Sequence, residues 1–241
     1  MATFPKLKNP FILAPMAGVT DDVFRRLCVE RGAALVYSEM VSAKALRYGD
    51  RKSFDMLAHS GGSEPIAYQL FGSDPAIMAE AVARLDEAER EAAASSVRPG
   101  YSPGDLRRPS RESNARDTYI SCVSYDVNMG CPVAKVVKNG EGSALMRDID
   151  RAARLVEATT RVTEKPVTVK TRSGWDADDA AADRAVEFAR AMEQAGAAAV
   201  ALHGRTREQY YGGKADWEVI ARVKDAVTVP VIGSGDVMSA A

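Results

Sequence analysis

Short runs of apolar and β-branched residues recur along this chain, and segments with helical periodicity separate them. Residues 197–202 read Ala-Ala-Ala-Val-Ala-Leu, without a polar residue at alternate positions. Strands that are apolar at every position are typical of a parallel sheet covered on both faces. Parallel neighbours need a crossover connection, usually a helix, so the pattern predicts an α/β fold. The predicted strands are Phe11–Ala14, Ala34–Tyr37, Pro65–Leu70, Tyr119–Val127, Pro166–Lys170, Ala198–Leu202 and Val229–Ile232.

Four of the intervening segments carry helix start and stop signals. Thr20 is a predicted N-cap, Asp74-Pro75 opens a second helix, and a third begins near Asp148. The fourth ends at Gly196. The predicted inward faces are Val23, Phe24, Leu27 and Cys28; Ile77, Met78, Ala81, Val82 and Leu85; Ile149, Ala152, Leu155 and Val156; and Ala185, Val186, Ala189 and Met192.

Seven predicted strands favour a TIM (β/α)8-type barrel, which has eight parallel strands and about 250 residues. The 241 residues of this chain suit one such domain, with its closing eighth unit missing. A doubly wound sheet is the competing fold, but no Gly-x-Gly-x-x-Gly follows the first predicted strand. The sequence ends at Ala241, where the helix after the seventh strand would begin, so we expect the 1–241 barrel domain to be incomplete.

Residues 98–117 interrupt this alternation with three prolines, two glycines, several serines and no apolar period. The segment is predicted to be a flexible, solvated insertion. The segment has five arginines and three acidic residues, so one hypothesis is that it contacts RNA. Its composition favours a surface loop instead.

Composition excludes several classes of protein. The net charge of −1 argues against a wholly basic nucleic-acid binder, although a local basic face is compatible with it. No apolar run approaches the roughly 18–20 residues of a membrane span, and the N-terminus has no signal-peptide pattern. The three cysteines are widely spaced and form no CxxC pair, so a reducing, cytoplasmic setting is expected.

Polar or glycine-containing segments lie at the C-terminal ends of six of the predicted strands, at the edge where α/β barrels place active sites. One such coincidence is weak, but six together are hard to explain by packing. The segments are Pro15-Met16-Ala17-Gly18, Gln69, Asn128-Met129-Gly130-Cys131-Pro132, Lys170 with Arg172, His203-Gly204-Arg205-Thr206-Arg207, and Gly233-Ser234-Gly235-Asp236.

The loop position of Cys131 favours chemistry, as a general acid or a nucleophile, over a small buried hydrophobe. Lys170 either extends to the rim or holds a phosphate or an anionic ring. His59, in a Gly/Ser-rich segment, is predicted to be solvated, and His203 has no second histidine at metal spacing. No metal site is therefore expected. Cys28 and Cys122 are predicted to be core residues.

Several motifs closely resemble those of the flavin-dependent tRNA-dihydrouridine synthases, and of their bacterial branch in particular. The resemblance runs from Phe11 to Asp236 apart from the insertion. Its most specific part is the pair of segments Asn128–Pro132, here called the cysteine loop, and His203–Arg207. The motifs are Ala14-Pro15-Met16-Ala17-Gly18-Val19-Thr20-Asp21, Tyr68-Gln69-Leu70-Phe71-Gly72, Asn128-Met129-Gly130-Cys131-Pro132 with Lys135-Val136, Val169-Lys170-Thr171-Arg172 and His203-Gly204-Arg205-Thr206-Arg207.

The resemblance implies FMN at the C-terminal mouth of the barrel. Lys170 is then expected to stabilise the anionic reduced ring, and Gln69 to hydrogen-bond the ring edge. Ser234 stands where relatives have an asparagine, so only its backbone contact is expected to survive. The cofactor-binding residues implied are Pro15, Met16, Ala17, Gln69, Lys170, His203, Ser234, Gly235 and Asp236.

The implied reaction is reduction of the 5,6 double bond of specific uridines in tRNA, with NADPH (or NADH) as the reductant. Cys131 is expected to be the catalytic proton donor, while Asn128 and Arg172 bind the substrate. Because the target base must leave its stack to reach the flavin, the resemblance implies base flipping. The helical C-terminal RNA-binding domain of the family is absent from this sequence, and a monomer is expected.

Two other hypotheses remain at this stage. A flavin oxidoreductase acting on a free pyrimidine or another small molecule would share the barrel without needing tRNA. A catalytically incomplete fragment that binds RNA, or that does not fold alone, would follow from a missing closing strand, because an open barrel exposes an unpaired strand edge.

Overall fold

The computed structural model describes residues 2–60, 65–94 and 118–239. Its central feature is a parallel sheet with the strand order β1-β2-β5-β7-β8-β9-β10, in which β3 also pairs with β5. The short β4 and β6 form a separate antiparallel pair. The strands are β1 Ile12–Leu13, β2 Leu35–Tyr37, β3 Val41–Ser42, β4 His59–Ser60, β5 Ile66–Phe71, β6 Thr118–Tyr119, β7 Ser124–Asn128, β8 Val167–Arg172, β9 Ala199–His203 and β10 Val231–Ser234.

Helices connect successive strands, as parallel pairing requires. A 3₁₀ helix over Gly142–Arg147 precedes the sixth α-helix. The helices are α1 Asp22–Glu30, α2 Ala43–Arg47, α3 Arg51–Leu57, α4 Pro75–Ala94, α5 Ala134–Val137, α6 Ile149–Thr160, α7 Ala177–Ala181, α8 Arg184–Gln194 and α9 Trp217–Ala226. None of these helices is long and apolar enough to cross a membrane.

The sheet curls into a half-barrel, so the predicted TIM-barrel-like α/β class is confirmed. The larger apolar core lies between the outer face of the sheet and the helices, and it contains Tyr68, Val127 and Val169. On strands, residues two apart share a face, so Gln69, Asp126 and Lys170 point the other way, into the half-barrel. The strands therefore carry core residues outward and polar residues inward.

Three predicted helices are confirmed with their inward faces. Met78, Ala81, Val82 and Leu85 of α4 are buried, as are Ala152, Leu155 and Val156 of α6 and Ala185, Ala189 and Met192 of α8. Asp148 caps α6 by accepting a hydrogen bond from the Arg151 N–H at 3.0 Å. The apolar period of 3.6 residues identifies these helices because each covers the sheet along one stripe.

The predicted inward face of the first helix is wrong for three of its four residues. Val23, Phe24 and Leu27 are exposed, and Cys28 alone packs partly against the core. Arg25 is buried instead, and its Nη1 donates to the Thr20 carbonyl at 2.7 Å.

The cap of this helix is also one residue later than predicted. Asp21, not Thr20, accepts a hydrogen bond from the Phe24 N–H, at 2.8 Å. The Thr20 hydroxyl is engaged elsewhere, because it donates to the Met16 carbonyl at 3.1 Å.

The strand predicted over Tyr119–Val127 is wrong in its first half. Residues 118–119 pair antiparallel with β4, and the sheet strand begins only at Ser124. This pairing also corrects the prediction for His59, which is 3% exposed and bonds the Ser121 carbonyl through Nε2 at 3.0 Å. The predicted insertion at 98–117 lies outside the described residues.

Candidate active site

The strand ends bring most of the predicted site residues together. In the parallel register Asn128 lies beside Lys170, and Arg172 lies beside His203. Ser234 pairs with the opposite side of His203. Because all these strands run in the same direction, their carboxyl ends form one continuous polar edge. Gln69 joins this edge through its hydrogen bond with Asn128, at 2.9 Å.

A buried carboxylate lies beneath this edge. Asp126 is 0% exposed, and it accepts hydrogen bonds from the Thr168 hydroxyl at 2.6 Å and from Gln69 Nε2 at 2.7 Å. Burial raises the pKa of the Asp126 carboxyl to about 6, and the hydrogen bonds and the positive charge of Lys170 oppose that rise. Asp126 is therefore mostly ionised at neutral pH, in spite of its burial.

The loop carrying Cys131 is fixed from both sides. The Asn128 side-chain oxygen accepts from the Cys131 N–H at 3.0 Å, and the Cys131 carbonyl accepts from the Ser143 N–H at 3.0 Å. Gly142 adopts a φ of +59°, and a Cβ there would lie 2.8 Å from the Cys131 oxygen, so only glycine fits. Partial burial raises the pKa of the Cys131 thiol, which keeps it protonated near neutral pH.

Arg172, at the end of β8, joins the loops that follow β7 and β9. Its Nε donates to the Gly130 carbonyl at 3.0 Å, and its Nη1 donates to the carbonyls of Thr206 and Tyr210 at 2.9 and 2.8 Å. The side chain is 4% exposed, and its guanidinium lies 5.8 Å from the exposed ring of Tyr211. Arg172 therefore fixes the position of the cysteine loop relative to the loop after β9.

Lys170 and His203 carry opposite protonation states at neutral pH. Desolvation lowers the pKa of Lys170 to about 8, so its ammonium is charged and adds positive potential to the site. Desolvation, with the positive charges of Arg172, Lys170 and Arg205, lowers the pKa of His203 to about 4. The ring of His203 is therefore neutral, and its Nε2 lies 3.4 Å from Arg205 Nη1.

Arg205 and Asp236 form an ion pair at 2.8 Å that attaches the end of β10 to the loop after β9. Arg205 also donates to the carbonyls of Gly212 and Gly213, and the Ala215 N–H donates to Asp236 at 2.7 Å. The predicted cofactor residue Asp236 thus uses its carboxylate within the protein. The backbone of the neighbouring Gly235 lies against the His203 ring. A Cβ at this position would lie 2.7 Å from the ring, so a glycine is needed there.

The segment after β1 lies at the edge of the half-barrel. Met16 and Ala17 are exposed and Pro15 is half-buried, while the Met16 N–H donates to the Thr20 hydroxyl at 3.2 Å. The Gly18 N–H donates to the Glu39 carboxylate, which ties this turn to the loop after β2. The turn therefore presents its backbone on the same side of the molecule as the strand ends.

Arginine and aromatic side chains alternate beside the cysteine loop. The guanidinium carbons of Arg147 and Arg207 lie 5.0 and 4.7 Å from the Trp175 ring, and that of Arg207 also lies 6.0 Å from Tyr210. The Tyr210 hydroxyl donates to the Pro132 carbonyl at 2.8 Å. We call Arg147, Trp175, Arg207 and Tyr210 the arginine–aromatic surface; cations stacked on aromatic rings are favourable contacts for nucleic acid.

The donor set at this edge suits an anionic, planar, carbonyl-bearing group better than a metal. Lys170 supplies a positive charge, and Gln69 and Asn128 supply amide N–H groups. The absence of a Cβ at Gly235 lets the backbone of this residue lie directly against the His203 ring. Within the described ranges, no group of three or more His, Cys, Asp or Glu residues is placed to hold a metal ion.

Two residues that organise this site, Asp126 and Glu39, were missed from the sequence. Each fixes a predicted site residue or its loop. Arg205 lies in a segment that the sequence identified, but its ion pair with Asp236 was not predicted. A signal existed for Asp126, since an acidic residue inside a predicted buried strand is exceptional. It also precedes Asn128 by two residues and so shares its face. Glu39 had no such signal, because it lies between the predicted elements.

Comparison with known proteins gives a consistent result. The family model described as "Dihydrouridine synthase (Dus)" matches residues 12–92 and 114–241. A "tRNA-dihydrouridine synthase B" of Pseudomonas aeruginosa is 40% identical over 97% of this chain and 60% of its own length. Those of Xanthomonas campestris and Vibrio cholerae are 40% and 39% identical, over 95% and 97% of this chain and 58% and 62% of their own. The chain thus spans about 60% of the length of these relatives.

Proposed function

Because this chain belongs to the dihydrouridine synthase family, we propose that it contains the flavin site and the proton donor of a tRNA-dihydrouridine synthase. The reaction reduces the 5,6 double bond of uridines in tRNA. The observation that carries the proposal is the fixed loop of Cys131 beside Asn128 and Lys170. These residues place a protonated thiol, an amide and a cation at one edge of the sheet.

The cofactor we propose is FMN, which when bound supplies a hydride to carbon 6 of the uracil ring. Lys170 would stabilise negative charge on the reduced ring, and Gln69 would donate to its edge. The residues that would hold the group are Pro15, Met16, Ala17, Gln69, Lys170, His203, Ser234, Gly235 and Asp236. Since the Asp236 carboxylate is paired with Arg205, we assign it a structural role in which its backbone faces the cofactor.

Cys131 would protonate carbon 5 of the uracil. A general acid must hold its proton at the working pH, and the raised pKa of the thiol meets that requirement. Asn128 would orient the base, because its Nδ2 keeps one N–H beyond the bond to Gln69. Arg172 would donate to the substrate through Nη2, because its Nε and Nη1 already donate to three backbone carbonyls.

The arginine–aromatic surface is the face we propose for tRNA. It adjoins the cysteine loop through the bond from Tyr210 to Pro132, so RNA bound there would bring a flipped base to the site. NADPH or NADH would act as the reductant in a separate half-reaction at the same mouth. The strand ends and this surface together support tRNA over a free pyrimidine.

The test is to purify the 241-residue chain, record its visible spectrum, and assay dihydrouridine in tRNA with NADPH. We expect flavin bands at about one equivalent per chain and NADPH-dependent product. A folded but colourless chain that FMN does not restore would contradict the flavin site in this chain. Comparable turnover of free uridine and of tRNA would instead favour the small-molecule oxidoreductase.

A further inference from the structure

We propose that ionised Asp126 is a positioning residue that sets the donor–acceptor direction of a hydrogen-bond chain through Gln69 and Asn128 to Cys131. The consequence is that both amides keep an N–H for the ligand, while the Asn128 oxygen is already used by the loop. The inference rests on the proposed function for the identity of that ligand. The chain itself is a property of the protein and can be tested without a ligand.

The first step is the carboxylate. An ionised Asp126 can only accept hydrogen bonds, so Gln69 must turn its Nε2 towards it, at 2.7 Å. Thr168 occupies the other oxygen with its hydroxyl at 2.6 Å. Complete burial removes water as an alternative partner, which makes this orientation of Gln69 the only one that satisfies the charge.

The second step follows from the shape of an amide. With its nitrogen on Asp126, Gln69 presents Oε1 to Asn128, which must donate with Nδ2 at 2.9 Å. Asn128 then presents Oδ1 to the loop, where it accepts from the N–H groups of Gly130 and Cys131 at 3.3 and 3.0 Å. The orientation of the Gln69 amide thus determines the orientation of the Asn128 amide.

Reversal of the chain is blocked at its far end. If Gln69 and Asn128 both flipped, the Asn128 NH₂ would face the backbone N–H groups of Gly130 and Cys131. Two donors would then oppose each other in a buried site, and the loop would lose its anchor. The Asp126 carboxylate at one end and the backbone N–H groups at the other end therefore favour the same direction of the chain. The position of the Cys131 loop depends on this direction.

The direction determines what the site can bind. The Asn128 oxygen already accepts two bonds, while each amide nitrogen retains one N–H that no described residue accepts. The free groups therefore select ligands with acceptor atoms, such as ring carbonyl oxygens. Uracil and the flavin ring both present carbonyls, whereas an amino group at the same place, as in cytosine, would meet a donor.

Protonation of Asp126 would remove one of the two constraints on the chain, since a neutral carboxyl can donate as well as accept. The groups that face the Asp126 carboxyl are Lys170 and Thr168 on β8, Gln69 on β5 and Tyr37 on β2. Lys170 and Tyr37 do not change charge between pH 5 and 7, because the pKa of Lys170 is about 8 and burial raises the pKa of Tyr37. A transition near pH 6 thus reports on Asp126.

The experiment compares wild type with Asp126→Asn and Thr168→Val. The Asn variant has the same shape, but its amide can donate to Gln69, so only the backbone N–H groups of Gly130 and Cys131 still hold the direction of the chain. The Val variant keeps the charge and removes only one of its hydrogen bonds. Two readouts are used. One is the rate of carbamidomethylation of Cys131 by iodoacetamide in the protein without flavin, and the other is riboflavin affinity from pH 5 to 7. Riboflavin avoids the phosphate, which itself titrates near pH 6.

For Asp126→Asn we expect faster alkylation of Cys131 and riboflavin binding weakened about tenfold, without the transition near pH 6 that Asp126 gives the wild type. Thr168→Val should alkylate at the wild-type rate and move the wild-type transition to higher pH, because the missing hydrogen bond favoured the ionised carboxyl. Equal alkylation rates in wild type and Asp126→Asn would overturn the inference. Failure of the wild type to bind flavin would instead contradict the proposed function, since the alkylation readout is independent of it.

Discussion

The three cysteines of this chain occupy three different environments. Cys28 packs partly against the core, and Cys122 is buried near Lys165, with a pKa raised by burial to about 12. Cys131 alone lies in a half-buried loop at the strand ends, held by Asn128. The chemistry of a thiol depends on such surroundings, so Cys131 is the cysteine that we propose to donate the proton.

Replacement of Cys131 by alanine should lower dihydrouridine formation by about 10²–10⁴-fold, because that range is typical of removing a general acid. Flavin content should be unchanged, since the thiol makes no bond that positions Lys170 or Gln69. Product is measured in tRNA, and flavin by its visible spectrum. Cys28→Ala is the matched control and should keep full activity. Undiminished activity of Cys131→Ala would refute the assigned role.

Lys170 should make the stability of the protein rise between about pH 8 and pH 10.5. Its folded-state pKa of about 8 lies below the ordinary value of 10.5. The unfolded chain therefore binds more protons in this window, and stability increases with pH until Lys170 is neutral in both states. Each unit of difference corresponds to about 1.4 kcal/mol.

The measurement is urea unfolding of wild type and Lys170→Met at pH 7, 8.5 and 10. The variant should be the more stable protein at pH 7, and the advantage should shrink as pH rises. A constant difference across this range would show that Lys170 titrates normally.

At the scale of elements, the loops after β7, β8 and β9 act as one unit. Arg172 at the end of β8 bonds carbonyls in the other two loops, and the ion pair of Arg205 with Asp236 extends the unit to β10. Loops have no backbone hydrogen-bond ladder between them, so these side-chain contacts hold them together. A positive charge in this position also contributes to the potential around Lys170 and His203.

Arg172→Lys should loosen this unit although it preserves the charge. An ammonium on a flexible stem cannot satisfy three carbonyls that a planar guanidinium reaches together. We expect a decrease of about 2–4 kcal/mol in the free energy of unfolding and faster alkylation of Cys131. Unfolding by urea and mass spectrometry measure the two effects. Arg154→Lys, on the exposed side of α6, is the control and should change neither.

At the scale of the whole molecule, the charges nearly cancel. With 32 basic and 33 acidic residues, general attraction to RNA is weak, so the proposed tRNA binding depends on where the charges lie. The arginine–aromatic surface lies on the side of the strand ends, whereas Arg31 and Arg161 lie after helices, at the opposite end. The proposal therefore predicts that arginines at the two ends contribute differently to tRNA binding.

The double variant Arg147→Gln, Arg207→Gln should therefore weaken tRNA binding and lower its salt dependence. The slope of log K against log salt should fall by roughly one for each phosphate that the variant no longer neutralises. Affinity is measured across a salt series, with flavin content as the check on folding. Arg31→Gln, Arg161→Gln removes the same charge from the other end and should leave the slope unchanged. Equal slopes for the two double variants would place tRNA elsewhere.

The parallel sheet, the helices α4, α6 and α8 and the meeting of the candidate residues at the strand ends could be predicted from the sequence. The reason is that these features depend on local patterns. Apolar residues at every position mark a doubly covered strand, and a stripe with a 3.6-residue period marks a covering helix. Gln69, Asn128, Lys170 and His203 were identified because they follow or end such strands.

Other features were decided by the tertiary structure alone. Asp126 meets Gln69 across 57 residues of sequence, and Arg172 meets Tyr210 across 38, so neither partner is visible from its neighbours. His59 is buried and Val23 exposed for the same reason. Burial of apolar surface has no direction and leaves a local periodic trace in the sequence, whereas a buried polar group needs one particular partner at hydrogen-bond distance. Which residue becomes that partner is decided only by the register in which the strands pair.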